Sequence, residues 1–238
     1  KSTVGEKLAD NIGYRFLDTG CLYRALTVAT LQRNIPITDT HAIIKLASDI
    51  DIVVQTSTIE DGRQYTVLID TIDVTWELRS SSTDTNVSLI STIPDVRQRL
   101  TEQMRSIANG TNIVMVGRDI DTVVVPEAAL KFYLDASIDE RARRRHNENI
   151  ENGIKSDYKE ILTNLQTRDH IDTQRDSAPL RKPKTAHIID TTSMETTNVL
   201  NEMLRIFKEI TKQNTKEMLR FLKGDGKQNT KEMLRDLE

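Results

Sequence analysis

Three short clusters of basic side chains are the residues best suited to chemistry in this sequence. They lie at residues 141–146 (RARRRH), 168–176 (RDHIDTQRD) and 181–184 (RKPK). Guanidinium groups match pairs of phosphate oxygens, so each cluster is suited to an anionic ligand. The formal net charge is −3, so no protein-wide positive field attracts nucleic acid or an anionic membrane. Clusters this short favour a small polyanion over a duplex, and a nucleic-acid-binding module built on residues 141–146 is the less favoured alternative.

The chain opens with a second candidate phosphate-binding feature. Lys1, Ser2 and Thr3 begin a segment whose apolar residues recur at helical spacing. Phosphate-binding loops of the form GxxxxGK[ST] end in these residue types, where a helix begins. The glycines of such a loop would precede Lys1, so we expect a first strand and loop before that residue. The tripeptide alone is weak evidence, and the motifs farther along the chain must support it.

The elements that would position these residues alternate between strands and helices. The segments YRFLD, NIVMV, ALKFYLDAS and HIIDTT predict strands, with helical patterns between them, which indicates an α/β fold. Residues 51–76 instead contain three β-rich stretches separated by polar turns, which predict a small antiparallel sheet inserted into that pattern. Residues 117–119 (GRD) directly follow the strand NIVMV, which we expect to be buried. Ligands gather at such strand ends in parallel sheets.

Composition excludes several classes of protein. Of the 238 residues, 37% are hydrophobic and 29% are charged, which is ordinary for a globular protein. No apolar run approaches the roughly 18 residues of a membrane helix and no secretory segment is present, so we predict a cytoplasmic protein without a membrane partner. The single cysteine, Cys21, excludes an internal disulfide and is predicted to be buried. The histidines lack the spacing of metal ligands.

The last part of the chain contains an internal repeat. The sequence KQNTKEMLR occurs at residues 212–220 and again at 227–235, after a closing helix predicted from about Met194 to Ile210. Thr215 and Thr230 could each cap a short helix, with glycines between the copies. Two copies are too few for a solenoid. The repeat is therefore interpreted as a pair of marginal amphipathic helices, with a partner-binding tail as the alternative.

Taken in chain order, these motifs resemble the bacterial cytidylate kinases of the P-loop nucleoside monophosphate kinase family, over residues 1–208. The matching motifs are LDTG at 17–20, YR at 23–24, Arg79, Arg97, GRD at 117–119, ERARRR at 140–145 and RDHIDTQRDSAPL at 168–180. The small β insert is typical of the bacterial enzymes. The resemblance implies an α/β P-loop kinase core with a parallel sheet and flanking helices, an NMP-binding insert containing a small antiparallel β-sheet, a short helical lid and the repeated helical tail. The expected division is 1–37, 95–137 and 161–210 for the core, 38–94 for the insert, 138–160 for the lid and 211–238 for the tail.

The resemblance also implies an activity and a set of site residues. The expected reaction is ATP- and Mg²⁺-dependent phosphorylation of CMP or dCMP to the diphosphate, by a monomer acting in pyrimidine metabolism without nucleic acid as a partner. Lys1 would bridge the donor phosphates, Ser2 would hold Mg²⁺, and Thr3 would lie beside them at the helix start. The lid arginines would close over ATP and stabilise the transition state. These catalytic lid residues are Arg141, Arg144 and Arg145.

The acceptor site implied by the resemblance draws on four segments. Arg24, Arg97 and Arg175 would grip the CMP phosphate. Asp119 with Arg118 would recognise the cytosine edge. The remaining contacts would come from Asp172, at the sugar hydroxyls, and Thr19, near the base and sugar.

Departures from the family pattern support an alternative. The first strand and its GPxGSG loop are absent from the sequence. Val116 stands where the family has an aspartate near Mg²⁺, Asp121 replaces a glycine, and Ile171 replaces an arginine. Each change points to reduced turnover. The alternative is therefore an impaired or inactive relative that still binds pyrimidine nucleotide and uses its tail for interaction.

Overall fold

The structure is a computed structural model that describes residues 1–151, 153, 155–174, 180 and 185–220. For residues 214, 215 and 217–220 only the backbone is described. The helices are α1 (Ser2–Ile12), α2 (Gly20–Gln32), α3 (Thr40–Asp49), α4 (Ser81–Ile90), α5 (Pro94–Ala108), α6 (Ile138–Glu151), α7 (Tyr158–Gln174) and α8 (Thr196–Arg220). The strands are β1 (Arg15–Asp18), β2 (Ile52–Thr56), β3 (Tyr65–Ile69), β4 (Ile72–Asp73), β5 (Ile113–Val116), β6 (Phe132–Asp135) and β7 (His187–Asp190).

Two pairs of parallel strands confirm the predicted α/β class. β1 pairs with β5, with Asp18 opposite Val116, and β6 pairs with β7, with Asp135 opposite Asp190. All four strands coincide with segments predicted from their apolar and β-branched residues. The strand β5 was predicted to be buried, but each of its residues is only half-buried. Within the described residues it pairs with β1 along one edge alone.

The insert forms the predicted small antiparallel sheet, in which β3 lies between β2 and β4. One face of this sheet joins the main hydrophobic core, because Ile52, Val67 and Ile69 are buried together with residues of α2 and α3. Val67 and Ile69 reach the core together, because residues two apart in a strand face the same side of the sheet. The core also includes Cys21, which is buried as predicted. Burial raises the pKa of its thiol well above the ordinary value.

Helix α4 was not predicted, because its sequence SSTDTNVSLI is rich in residues with low helix propensity. The helix forms because Ser80 caps its start, with its hydroxyl accepting a hydrogen bond from the amide of Thr83 at 3.3 Å. Its inner face buries Val87 and Ile90 completely. Tertiary burial therefore outweighs the local preference, and this helix brings Asp84 toward the region after β1.

The chain divides into two compact units, of which the first is Lys1–Met194 and the second begins at Glu195. In the second unit, α8 runs without interruption from Thr196 to Arg220. The predicted helix end near Ile210 and the separate helix capped by Thr215 are therefore wrong. No glycine or proline lies between Thr196 and Arg220, and Glu, Leu, Lys and Met are strong helix formers, so the first copy of the repeat extends the preceding helix. The second copy, with Thr230, lies outside the described residues.

Candidate active site

The parallel pairing of β1 and β5 brings two loops together at the carboxyl ends of these strands. Thr19, the residue after β1, donates to the carbonyl of Val116 from both its amide, at 2.9 Å, and its hydroxyl, at 3.0 Å. These two bonds hold the LDTG turn beside the GRD segment that follows β5. The predicted site residues Thr19, Arg118 and Asp119 are therefore neighbours, as expected at the end of a parallel strand pair.

Gly117 is required by the close approach of these two loops. A Cβ atom at this position would lie 2.4 Å from the Thr19 hydroxyl oxygen and 2.6 Å from Cδ1 of Ile120. Real side chains essentially never approach this closely, so one loop would have to move.

We therefore expect Gly117→Ala to lower the free energy of unfolding by about 1–3 kcal/mol through overpacking. The substitution should also lower the rate of any reaction at this site, because it separates Thr19 from Arg118. Urea denaturation and steady-state kinetics would measure both effects. Gly62→Ala is the control, since its methyl group would meet no atom within 4 Å and reports only the backbone cost at φ +89°. Equal effects of the two substitutions would contradict the packing argument.

The start of α1 contributes a hydroxyl–carboxylate pair. The Ser2 hydroxyl donates to Oδ2 of Asp18 at 2.6 Å, and Oδ1 of Asp18 accepts from the amide of Gly20 at 3.0 Å. Thr3 is exposed in the first turn of the same helix. Asp18 belongs to the matching motif LDTG, but no role was predicted for it from the sequence. Its position directly before the predicted site residue Thr19 could have indicated one. Among the described residues, no group of three or more His, Cys, Asp or Glu side chains could hold a metal ion.

A buried ion pair lies next to these loops. The side chain of Arg97, which is 4% exposed, donates from Nη2 to Oδ2 of Asp119, which is 7% exposed. Nη1 of Arg97 donates to the Ser91 carbonyl at 3.0 Å, and its guanidinium lies 5.6 Å from the centre of the Tyr23 ring. The Nε of Arg97 is buried without a hydrogen-bond partner among the described residues. The pair is therefore held rigidly and keeps one unused donor.

Arg118 has different partners from those of its neighbour Asp119. It forms ion pairs with Asp169, at 3.1 Å, and with Asp172, which is 2% exposed. Asp169 also accepts from Nη2 of Arg141 at 2.7 Å. One carboxylate on α7 thus joins the GRD segment to the predicted lid helix. Asp169 belongs to the basic cluster recognised in the sequence, but its function there could not be assigned without the two arginines that it contacts.

The charges that act on Lys1 place it close to Arg118 and Arg141. The pKa of its ammonium group falls from 10.5 to about 8, mainly because surrounding protein atoms desolvate it and also because Arg118, Arg168 and Arg141 repel its charge. Asp18 opposes that shift. Part of the Lys1 side chain still reaches solvent. Four cations from distant segments therefore surround one small region, and we call Lys1, Arg118, Arg141 and Arg168 the cation cluster.

Arg168 completes the cation cluster from α7. Desolvation is the main reason that its pKa falls to about 10, followed by repulsion from Arg118 and Arg24. Asp172 lies 3.9 Å from its Nε and partly offsets these effects. Asp169 and Asp172 compensate part of this positive charge, and a bound polyanion would relieve the repulsion that remains.

The three predicted lid arginines have different partners. Arg141 joins the cation cluster, and Arg145 forms ion pairs with Asp84 at 3.3 Å and Glu148 at 3.4 Å. Arg144 instead donates to Glu140, to both the hydroxyl and the carbonyl oxygen of Thr191, and to the Met194 carbonyl. It therefore fastens α6 to the segment after β7. Helical spacing alone suggested that all three would share one role.

Arg24 of α2 faces the insert. Its Nη1 donates to the Leu78 carbonyl at 2.7 Å and lies 2.6 Å from Oδ1 of Asp84. Arg79 of the insert pairs with Glu148 of α6 at 3.1 Å. The predicted third member of the phosphate-gripping set, Arg175, lies outside the described residues, as does the basic segment 181–184.

The three substitutions noted in the sequence occupy different environments. Val116 packs against α1, since a Cβ on Gly5 would lie 2.4 Å from its Cγ2 atom. Asp121 has one carboxylate oxygen, Oδ2, buried without a hydrogen-bond partner in the described part of the chain. Ile171 is half-buried on α7 between the site residues Asp169 and Asp172. None of them interrupts the ion pairs described above.

Comparison with known proteins gives a consistent result. The family model described as cytidylate kinase matches residues 1–209. A cytidylate kinase of Caldanaerobacter subterraneus subsp. tengcongensis is 42% identical over 216 residues, which cover 91% of this chain and 91% of that protein. Cytidylate kinases of Streptococcus gordonii and Herpetosiphon aurantiacus are 42% and 46% identical, over 84% and 71% of this chain and 88% and 74% of their own lengths. In the part of the chain that the structure describes, no helix has the length and apolar character needed to cross a membrane.

Proposed function

The chain belongs to the cytidylate kinase family, and on that premise we propose that it transfers the γ-phosphoryl group of ATP to CMP or dCMP, forming ADP and CDP or dCDP. In this reaction an oxygen of the acceptor phosphate forms a bond to the γ-phosphorus, while the bond from that phosphorus to the β–γ bridging oxygen breaks. The protein contributes position and positive charge more than covalent chemistry. The observation that carries the proposal is the cation cluster beside the buried pair of Arg97 and Asp119.

The cation cluster supports a role in binding and transferring phosphoryl groups. Lys1 would contact the donor phosphates from the start of α1, where the helix dipole also favours negative charge. Arg141, on the predicted lid helix, would contact the transferring group. The lowered pKa of Lys1 reflects mainly its removal from water, together with repulsion from Arg118, Arg168 and Arg141. Bound phosphates would remove that repulsion, and closure of the lid would exclude water from the reaction.

The buried pair supports a role in recognising the pyrimidine base. The family resemblance implies that Arg97 binds the phosphate and Arg118 the base, whereas the contacts favour the reverse assignment. Arg97 donates to Asp119, and its buried Nε has no partner among the described residues, so a base that reached this pair would meet a guanidinium beside a carboxylate. A cytosine edge presents the complementary groups, an exocyclic amine and ring acceptors. Arg118, with its place in the cation cluster, would bind the acceptor phosphate together with Arg24, and Thr19 and Asp172 would seat the nucleoside.

A magnesium ion fits the residues at the start of α1. Mg²⁺ prefers oxygen ligands and is usually held by one or two protein groups, with the remaining positions taken by water and substrate phosphates. The Ser2 hydroxyl and the Asp18 carboxylate, 2.6 Å apart, are the oxygen ligands available there. When bound, the ion would neutralise charge on the donor phosphates. We propose Ser2 and Asp18 as the residues that hold it.

The proposed parts are a core, an insert at 38–94 that closes over the acceptor, a lid at 138–160 that closes over the donor, and a tail at 211–238. Ion pairs connect the insert to α2 of the core and to α6 of the lid. The proposed start of the tail at 211 falls within α8, which runs without interruption from Thr196 to Arg220. The cytoplasmic location, the monomeric state and the absence of a nucleic-acid partner stay predictions. No contact in the site favours an inactive relative.

The experiment that tests the proposed function is a coupled assay of ADP formation with ATP, Mg²⁺ and either CMP, dCMP or UMP, using the protein expressed from its complete reading frame. We expect CMP and dCMP to be phosphorylated, with the product confirmed as the diphosphate by chromatography. Folded protein that binds CMP and forms no CDP would reject the kinase proposal and leave a nucleotide-binding function.

The depressed pKa of Lys1 predicts a pH dependence. The cationic form of Lys1 pairs with phosphate, and this form is lost as the pH rises through about 8, its pKa in the free protein. We therefore expect kcat/KM for ATP to decline above that pH, when it is measured from about pH 6 to about pH 10 at constant ionic strength. The variant Lys1→Arg stays charged over this range and should lack the decline. An identical decline in both proteins would assign the titration to another group.

A further inference from the structure

Asp84, on helix α4 of the insert, contacts Arg24, which the proposed function places at the acceptor phosphate, and Arg145, one of the predicted lid arginines. Its Oδ1 lies 2.6 Å from Nη1 of Arg24, and its Oδ2 lies 3.3 Å from Nη2 of Arg145. Arg24 comes from α2 and Arg145 from α6, so one carboxylate bridges three separate segments. The Asp84 side chain is 37% exposed, whereas those of Arg24 and Arg145 are 17% and 24% exposed. No sequence motif marked this residue, because it lies in the stretch SSSTDT.

The contacts of Arg24 leave one edge of its guanidinium unused. Nη1 donates to the Leu78 carbonyl at 2.7 Å and faces Asp84, and these contacts fix the plane of the group. Both contacts that Arg24 makes within the described residues are closest at Nη1 rather than at Nε or Nη2. Together these two nitrogens form an edge that can donate two parallel hydrogen bonds to a phosphate. Asp84 therefore holds Arg24 without occupying the edge that a phosphate would need.

Arg145 is held by two carboxylates rather than one. Its Nη2 faces Asp84, and its Nη1 lies 3.4 Å from Glu148, which also pairs with Arg79 of the insert. Loss of Asp84 would therefore leave Arg145 with Glu148, while Arg24 would keep only the neutral Leu78 carbonyl. The effect of Asp84 should fall mainly on Arg24.

We propose that Asp84 is a positioning residue for the acceptor phosphate. It sets the orientation of Arg24, so that the Nε and Nη2 edge faces the phosphate of CMP, and it connects the insert to the lid helix through Arg145. This inference rests on the proposed function. If Asp84 acted only through its charge, its removal would lower KM for CMP, because loss of a negative charge near the phosphate site strengthens attraction for the phosphate.

The test is Asp84→Asn, which removes the charge and preserves the size of the side chain. We expect KM for CMP to rise about three- to tenfold, because Arg24 loses the one charged partner that it has among the described residues, and kcat to change by less than about threefold. Asp70→Asn is the matched control. Asp70 forms an ion pair with Arg33 at 2.9 Å and has a φ of 50°, which asparagine tolerates, but it contacts no proposed site residue. Its KM should equal that of the wild type.

A second substitution makes the result decisive. In an Arg24→Lys background, Asp84→Asn should raise KM for CMP by less than about twofold, because lysine has no planar edge to orient. Each variant is also measured for its melting temperature. An unchanged or lower KM in Asp84→Asn, or an equal rise in both backgrounds, would overturn the positioning role. Wild-type protein that forms no CDP would instead reject the proposed function, so the two failures are distinguishable.

Discussion

Replacing Asp119 with alanine is expected to destabilise the protein and abolish recognition of CMP. Arg97 would remain buried at 4% exposure with its charge uncompensated. Breaking a buried ion pair on one side typically costs about 3–5 kcal/mol, and we expect the free energy of unfolding to fall by that amount. The Ser91 carbonyl and the Tyr23 ring would still contact Arg97, but neither is an anion.

The loss of activity should exceed what instability explains. If Asp119 accepts from the exocyclic amine of cytosine, its removal leaves a buried donor of the substrate unpaired. Such mismatches commonly reduce kcat/KM by about 10²-fold or more. The measurement is kcat/KM for CMP at a temperature where urea denaturation shows the variant to be folded.

A double variant separates stability from recognition. In Arg97→Met with Asp119→Leu, both charges are replaced by apolar groups of similar size, which is often neutral for stability or even favourable. We expect its free energy of unfolding to return to within about 1 kcal/mol of the wild type, while phosphorylation of CMP stays abolished. Recovery of CMP phosphorylation in the double variant would show that the pair acts only in folding.

The second large effect is expected for Lys1→Met. Methionine preserves the length and apolar stem of the side chain and removes the charge that would contact the donor phosphates. Loss of one preorganised group that stabilises transition-state charge costs about 10²- to 10³-fold in kcat. We expect a decrease of that size with little loss of stability, since removing Lys1 also relieves repulsion from Arg118, Arg168 and Arg141.

Lys7→Met is the matched control, because Lys7 lies on the same helix and is exposed. Its kcat should stay within about twofold of the wild type, as for an ordinary surface substitution. Single-turnover kinetics with saturating ATP would separate the chemical step from product release. A Lys1→Met protein that retains kcat to within tenfold would mean that the cation cluster does not contact the donor.

The sequence by itself determined the fold class and the small antiparallel sheet of the insert, and it supplied the candidate site residues. Strand patterns such as NIVMV and YRFLD predict their elements locally, because alternation and β-branching act over a few residues. The resemblance to the family then predicted which residues form the site, since motif order depends only on position along the chain. These predicted residues include Lys1, Arg24, Arg97, Arg118 and Asp119.

The tertiary structure decided which partner each side chain has. A guanidinium carries five donors on a long stem, so spacing could not show that Arg97 pairs with Asp119, that Arg118 turns to Asp169, or that Arg144 binds Thr191. These choices depend on distances between segments and on which charges are removed from water. The same reason explains α4 and Asp84: burial of Val87 and Ile90 stabilises a helix that local propensity disfavours, and that helix brings a carboxylate to Arg24.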